Sequence, residues 1–312
     1  MLVLYGGENI ARTPVDSNHE AFWVANKTNE EESWQWKCCI ENSGALLPAR
    51  LGHAQAVVAT GENDSIYVFG GRAQEEMNDL WKLNTKTLEW TEIITSSSTK
   101  PCPRSFHRMI SIGKDSLYVF GGCGKEGRLA DLHRFDIPTQ TWHELPPSPL
   151  LRGRGGANLF SLSNQNKLAV IAGFAGEETD DGHIFSISEK QWESNLISEK
   201  NKLRPRSVCV SATWPDTACL IFGGEVDPSD KGHEGAGGHA NDVVLVNPNT
   251  GEYIDTVVFD GDIPEPRGWS DGSLFVSSEK EAAHLYMFGG LAGDDTNPVR
   301  LDDTRRLDMK IL

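Results

Sequence analysis

Residues 223–242, GGEVDPSDKGHEGAGGHAND, bring Glu225, Asp227, Asp230, His233, Glu234 and His239 together in one glycine-rich stretch. Carboxylates and imidazoles this close can hold a first-row divalent metal, typically Fe(II) or Mn(II), with positions left open for a substrate. The same composition also suits a solvated loop whose charges face water. A second set of residues is basic: Arg50, Arg104, Arg154, Arg206 and Arg267 sit in the segments PARLGHA, PRSFHRM, RGRGGAN, RPRSVCV and PEPRGWS. A guanidinium there either bonds the carbonyls of a neighbouring loop or joins others in clamping one anion, since its planar fork fits sulfate, phosphate or carboxylate. The one GxSxG, Gly268–Gly272 (GWSDG), follows the proline-rich PEPR rather than an apolar strand, so a Ser/His/Asp hydrolase would lack its nucleophile elbow.

The elements that position these groups are written in a repeat. Apolar runs ending in paired glycines recur as LVLYGG (2–7), IYVFGG (66–71), LYVFGG (117–122), LIFGG (220–224) and LYMFGG (285–290), with a degenerate copy, AVIAGF, at 169–174. Gly70, Gly121, Ala172 and Gly223 stand at a constant interval of 51 residues. Each interval continues through a strand opened by an acidic or Asn-Asp pair, such as NDLWKLN or DDGHIFSI. A strand carrying Trp36, Trp90, Trp142 or Trp192 follows, with Tyr253 in the fifth unit. Four strands per unit at this period make a blade.

These residues resemble kelch repeats over essentially the whole chain. The resemblance implies an all-β fold, a six-bladed kelch β-propeller of four-stranded antiparallel blades filling residues 1–312 as one domain. Only twenty-two of the twenty-four strands can be assigned: the first blade lacks an innermost strand and the last an outermost one. Such open edges invite another chain, hence oligomer formation. In this topology the segment entering strand one and the loop leaving strand two open on the same face. The five arginines should therefore ring it, together with Phe174, Glu225 and Leu291. His53 and His107, each three residues after an arginine, are expected to stabilise the fold. A galactose-oxidase-like copper site would need tyrosine ligands, and four of the five tyrosines lie in or beside second strands.

RGGA (154–157), RPRS (204–207), GGE (223–225) followed by DP, GH and GAG, and RGW (267–269) occur in order. In this they are similar to the plant specifier proteins, the epithiospecifier, nitrile-specifier and thiocyanate-forming kelch proteins. The resemblance implies an Fe(II)-assisted lyase or isomerase that rearranges an anionic, sulfated or carboxylated, small molecule. Its metal motif, Glu-x3-Asp-x3-His, falls here on Glu225 and His233 with Ser229 at the middle position, flanked by Asp227 and Asp230. Arg104 and Arg154 match the family's sulfate-binding arginines and Trp269 an aromatic of the site wall. Arg50, Arg206, Arg267 and Phe174 would line the substrate. The competing reading is a non-catalytic kelch scaffold that docks a protein partner.

Composition narrows the field further. Lysine and arginine total 29 against 45 aspartates and glutamates, a formal charge of −16 that repels nucleic acid in the absence of a basic run. No apolar run approaches the roughly 20 residues that cross a bilayer, and a membrane is not expected. Six cysteines without a CxxC pair read as reduced thiols of a cytoplasmic protein. Thirty-one glycines, fifteen prolines and nine tryptophans point to short strands and turns.

Overall fold

The computed structural model describes residues 1–16, 20–26, 34–39, 47–61, 63–95, 97–162, 166–195, 203–231, 234–254, 257–260, 262–277 and 282–311. It is all-β and divides into two compact units: residues 1–119, 123–127 and 133–144, and residues 120–122, 128–132 and 145–312. Among the described residues no helix is long and apolar enough to cross a membrane.

The first unit opens with β1 (Leu2–Tyr5), β2 (Glu8–Ile10), β3 (Thr13–Pro14), β4 (Phe22–Asn26) and β5 (Gln35–Cys38). β1, β4 and β5 form a three-stranded sheet in that order, and β2 and β3 a hairpin. β6 (Ala54–Val58), β7 (Ser65–Arg72), β8 (Glu76–Asn84) and β9 (Glu89–Glu92) form a four-stranded meander. Then come β10 (Arg108–Ile112), β11 (Ser116–Gly124), β12 (Gly127–Asp136) and β13 (Thr141–Glu144), another four-stranded sheet whose residues 120–122 and 128–132 group with the second unit.

The second unit continues the pattern with β14 (Asn158–Leu162), β15 (Lys167–Phe174), β16 (Glu178–Ser186) and β17 (Gln191–Asn195). β18 (Val210–Trp214) and β19 (Ala218–Phe222) follow. The hairpin of β20 (Glu225–Asp227) and β21 (Gly238–His239) then interrupts the sheet before β22 (Val243–Val246), so that the order is β18-β19-β22. The last sheet holds β23 (Val257–Asp260), β24 (Asp271–Val276), β25 (Ala282–Gly293) and β26 (Pro298–Ile311) in the order β23-β26-β25-β24.

The missing strands fall partly where the repeat put them. The first sheet has three strands with β1 at its edge, as expected. The last sheet is complete, which corrects the expectation that it lacks its outermost strand. β23 precedes β24 in the chain yet pairs with β26, Val257 opposite Ile311 and Asp260 opposite Asp308. The second unit's three-stranded sheet is instead β18-β19-β22, which Tyr253 meets through a bridge to Val246 and by packing on its core. Fifth-unit residues that read as its own outer strand are used next door.

The apolar runs of β7, β11, β15 and β19 are buried because both faces of these strands are covered, with Val68, Phe69, Val119, Ile171 and Ile221 fully enclosed, whereas β25 alternates buried and half-buried residues. Trp90, Trp142 and Trp192 hold one register position in three outer strands, opposite Leu83, Phe135 and Phe185. Trp90 packs on Tyr5 and Phe22 of the preceding sheet, and Trp142 on Phe69. The tryptophans thus fill the space between neighbouring sheets of a unit. The glycine pairs are dictated by the next repeat. Gly223 has φ +63°, and a Cβ there would lie 2.6 Å from the Arg267 carbonyl oxygen.

Candidate functional site

Within each unit, the segment entering the first strand of a sheet pairs with the residue leaving its second. Leu51 bridges Arg72 and Ser105 bridges Cys123 in one unit; Gly155 bridges Phe174, Ser207 bridges Glu225 and Gly268 bridges Leu291 in the other. The shared face expected from the topology is therefore present in each unit, and the arginines lie at it.

Four of the five guanidinium groups close on a carboxylate of the fold. Arg50 donates to both carboxylate oxygens of Asp79 at 2.8 and 2.7 Å, and Arg154 forms the same fork with Asp181 at 2.5 and 2.9 Å. Arg206 pairs with Asp242 and Arg267 with Asp303 in the same way. One further N–H of each reaches the carbonyl at the first glycine position: Gly70, Ala172, Gly223 and Gly289. Arg104, in the first unit, donates from Nε to the Cys102 carbonyl at 3.1 Å. The main chain completes the clamp, because the second glycine of one sheet donates its amide to the arginine carbonyl of the next, as Gly224 does to Arg267 and Gly173 to Arg206. All five side chains are buried to within about one per cent. Of the two roles open to them, carbonyl and carboxylate bonding inside the fold accounts for Arg50, Arg154, Arg206 and Arg267. Burial alone would raise the Asp181 carboxyl, but hydrogen bonds from His183 and Arg154 hold it well below the usual carboxylate range. His53 and His107 likewise serve the fold. His107 Nε2 lies 3.1 Å from the Phe69 carbonyl, and burial, aided by Arg50, drops His53 to about 3.

What the arginines leave at this end of the second unit is acidic. Glu225 opens β20, is only 8% exposed, and exchanges backbone hydrogen bonds with Ser207 at 2.9 Å in both directions. Burial raises its carboxyl to about 7, against a hydrogen bond from the Ser229 amide, with nearby Asp295 raising it further. Glu178, the first residue of β16, accepts a hydrogen bond from Ser207 Oγ at 3.1 Å; its buried Oε2 has no partner among the described residues. Burial, then the Glu225 charge, lifts it to about 8. His239 stands opposite Glu225 in the β20–β21 hairpin, with both ring nitrogens buried and without a partner among the described residues. Burial holds it at about 4, so its imidazole is neutral at pH 7. Gly268 leaves the space for that ring: a Cβ there would stand 2.8 Å from His239 Cδ2.

The rest of the loop is pinned from the β25–β26 turn. Asp295 Oδ1 accepts the amides of Ala236 and Gly237 at 3.2 and 2.9 Å, and the Ser229 hydroxyl bonds the same carboxylate. Lys231 Nζ donates to the Asp295 carbonyl at 2.6 Å. Ser229 thus stands at the middle of the Glu-x3-Asp-x3-His spacing because a donor is needed there; an aspartate would face Asp295 as a like charge. Asp227 and Asp230 are exposed, and His233 lies outside the described residues. Among the described residues no three His, Cys, Asp or Glu side chains come together as a metal site. Phe174 leaves β15 with the Arg128 guanidinium 4.5 Å above its ring. Trp269, at φ +59°, donates its amide to the Val208 carbonyl at 2.9 Å. Sequence reasoning gave no role to Glu178, Ser207 or Asp295, and named His239 only among the groups that could hold a metal. The one signal for Glu178 was its place beside the strand-opening acidic pair.

Comparison with known proteins follows the repeat. The sequence model of the KLHDC2/KLHL20/DRC7 Kelch-repeats domain matches residues 1–224, so the β20–β21 loop lies beyond the matched span. Adagio protein 3 of Arabidopsis thaliana is 29% identical over 245 residues, 72% of this chain and 37% of its own length. The N-(sulfonatooxy)prop-2-enimidothioate sulfolyase of Thlaspi arvense is 26% identical over 258 residues, 76% of this chain and 70% of its own. Human host cell factor 1 is 24% identical over 72% of this chain but only 11% of its own length. Among solved structures, that of YjhT superposes with a TM-score of 0.65 at 17% identity over 97% of this chain and 94% of the other, a likeness of fold alone.

Proposed function

The chain belongs to the KLHDC2/KLHL20/DRC7 Kelch-repeat family, and from that premise we propose that it is a recognition module that docks a protein partner on the loop end of its second unit. The observation that carries this reading is the closure of Arg154, Arg206 and Arg267 on their own aspartates. A buried guanidinium whose donors are already taken by a neighbouring carboxylate has little left for a substrate anion, whose entry would break that ion pair. The arginine face is then a frame, and the surface it supports consists of the β15–β16 turn, the loop from Glu225 to Asp242 and the β25–β26 turn. These bring backbone, carboxylates and one neutral imidazole to a partner, in the manner of loops borne on a rigid scaffold.

The test is to select peptides from a displayed random library on the immobilised chain and map the selected binders by hydrogen exchange. Protection confined to residues 174–178, 225–242 and 292–298 is the expected result. Binders that protect only other surfaces, or none after repeated selection, would overturn it.

Iron-assisted turnover of an anionic small molecule is the second reading. What favours it is the sulfolyase relative, whose length this chain largely spans. It would use Glu225 with Asp227, Asp230 and His233, with Arg104, Arg154 and Trp269 at the substrate. Stoichiometric Fe(II) binding that is lost in His233→Ala would revive it; no uptake would remove it.

A further inference from the structure

One sister hairpin carries a cation that the β15–β16 hairpin lacks. In the β7–β8 hairpin of the first unit Arg72 stands directly across from Glu76, their charged groups 3.7 Å apart. At the same register of the β15–β16 hairpin the pair is Phe174 and Glu178. Glu178 therefore matches Glu76 but has no counterpart of Arg72 across from it. Ser207 satisfies one oxygen, and the other is buried without a partner among the described residues. The Ser207 backbone is bonded to Glu225, and Gly268 beside it makes room for His239, so two unpaired acceptors, Glu178 Oε2 and one imidazole nitrogen, gather around one short stretch of backbone with the other imidazole nitrogen carrying the ring's N–H. Buried acceptors left unpaired are costly, and a ligand carrying N–H donors would remove that cost.

We propose that Glu178, Glu225 and His239 form a subsite for the guanidinium of an arginine side chain in the partner polypeptide. The geometry favours guanidinium over other donors for two reasons. The group is planar and fork-shaped, so it can meet a carboxylate and a neighbouring neutral acceptor together. Phe174 also supplies an aromatic face on which Arg128 already stacks at 4.5 Å, showing that a guanidinium is tolerated against this ring. The other charged groups around the subsite are engaged elsewhere. Asp295 is held by the Ala236 and Gly237 amides, Lys231 by the Asp295 carbonyl, and Glu177 by Arg152 at 3.0 Å. Glu225 supplies a second carboxyl but is itself bonded by the Ser229 amide, so Glu178 carries the direct contact, and burial that favours the protonated carboxyls is offset when a cation enters beside them.

This assignment rests on the recognition reading above but is tested without a partner. Nα-acetyl-arginine amide is titrated into the full chain with isotope-labelled histidine, and the His239 ring signals, identified from a His239→Gln spectrum, are followed. The neutral isostere citrulline and the lysine analogue are titrated in parallel. A saturable shift with arginine alone is expected, weakened at least tenfold in Glu178→Gln. Phe174→Arg should abolish it, because that change recreates the sister hairpin's pair and fills the subsite from within; since Arg72 already occupies the equivalent position, this variant is expected to fold. An equal shift with citrulline or lysine overturns the guanidinium assignment. So does binding that survives both variants within twofold. Selected peptides that dock at this end without arginine would leave the recognition reading standing and remove the subsite. An arginine shift with no selectable peptide would do the reverse.

Discussion

Replacing Asp181 by asparagine is the perturbation that most directly separates a structural arginine from a ligand clamp. In the wild type Arg154 is fully buried and donates twice to Asp181, with Ala172, Thr179 and Arg152 accepting its remaining N–H groups. The amide would keep the shape but remove the countercharge, leaving an enclosed guanidinium held by neutral acceptors. Breaking a buried pair typically costs about 3–5 kcal/mol. The Asp181 side chain is 31% exposed and water can partly replace it, so about 2–3 kcal/mol is expected here. The same change at Asp242, whose side chain is 52% exposed, should cost less, about 1 kcal/mol. Urea denaturation followed by tryptophan fluorescence measures both, with the m-value checked for constancy. A cost below about 0.5 kcal/mol for Asp181→Asn, or an order reversed between the two sites, would refute the strut assignment. On the same grounds Arg154→Ala is expected to lower stability by a similar amount, and so to be a poor probe of ligand binding.

Three further outcomes follow from the geometry. Gly223→Ala places a Cβ at 2.6 Å from the Arg267 carbonyl in a left-handed backbone, and should cost more than the roughly 1 kcal/mol of the conformational penalty alone, read as a lower denaturation midpoint. Ser229→Asp restores the iron-motif spacing but sets a carboxylate against Asp295; hydrogen exchange at the Ala236 and Gly237 amides should quicken, and more at pH 7 than at pH 4. Acid should weaken the fold through its histidines. His53 at about 3 and His107, well below its ordinary value because of burial and then Arg104, are neutral when folded, whereas unfolded histidine protonates near 6.5. Below that value the unfolded state binds more protons, so stability is intact above about pH 6.5 and falls by up to about 1.4 kcal/mol per pH unit per histidine as pH drops. His107→Asn should flatten the slope measured between pH 6 and 4.

The 51-residue interval determined the strands, the paired-glycine exits and the tryptophan positions, because each is enforced locally. An enclosed second strand must be apolar on both faces, a residue no larger than alanine (glycine except at Ala172) must stand where the next repeat approaches, and an indole must fill the gap between sheets. The positions of the arginines on one face were equally legible, since side-chain direction follows register. What they bond was not. Arg154 and Asp181 are 27 residues apart, and only the hairpin that folds β16 back beside β15 decides that the fork closes inward. The carboxylate that matters most, Glu178, looked like one of many acidic residues; its significance is that its cross-strand neighbour is Phe174 rather than an arginine. Strand β23 makes the same point at the level of topology. Its residues have strand character in either place, and long-range pairing with β26, not local pattern, chose its sheet. Local sterics and alternation act within a few residues and are written in the chain. Which donor meets which acceptor depends on segments the chain brings together only when it folds.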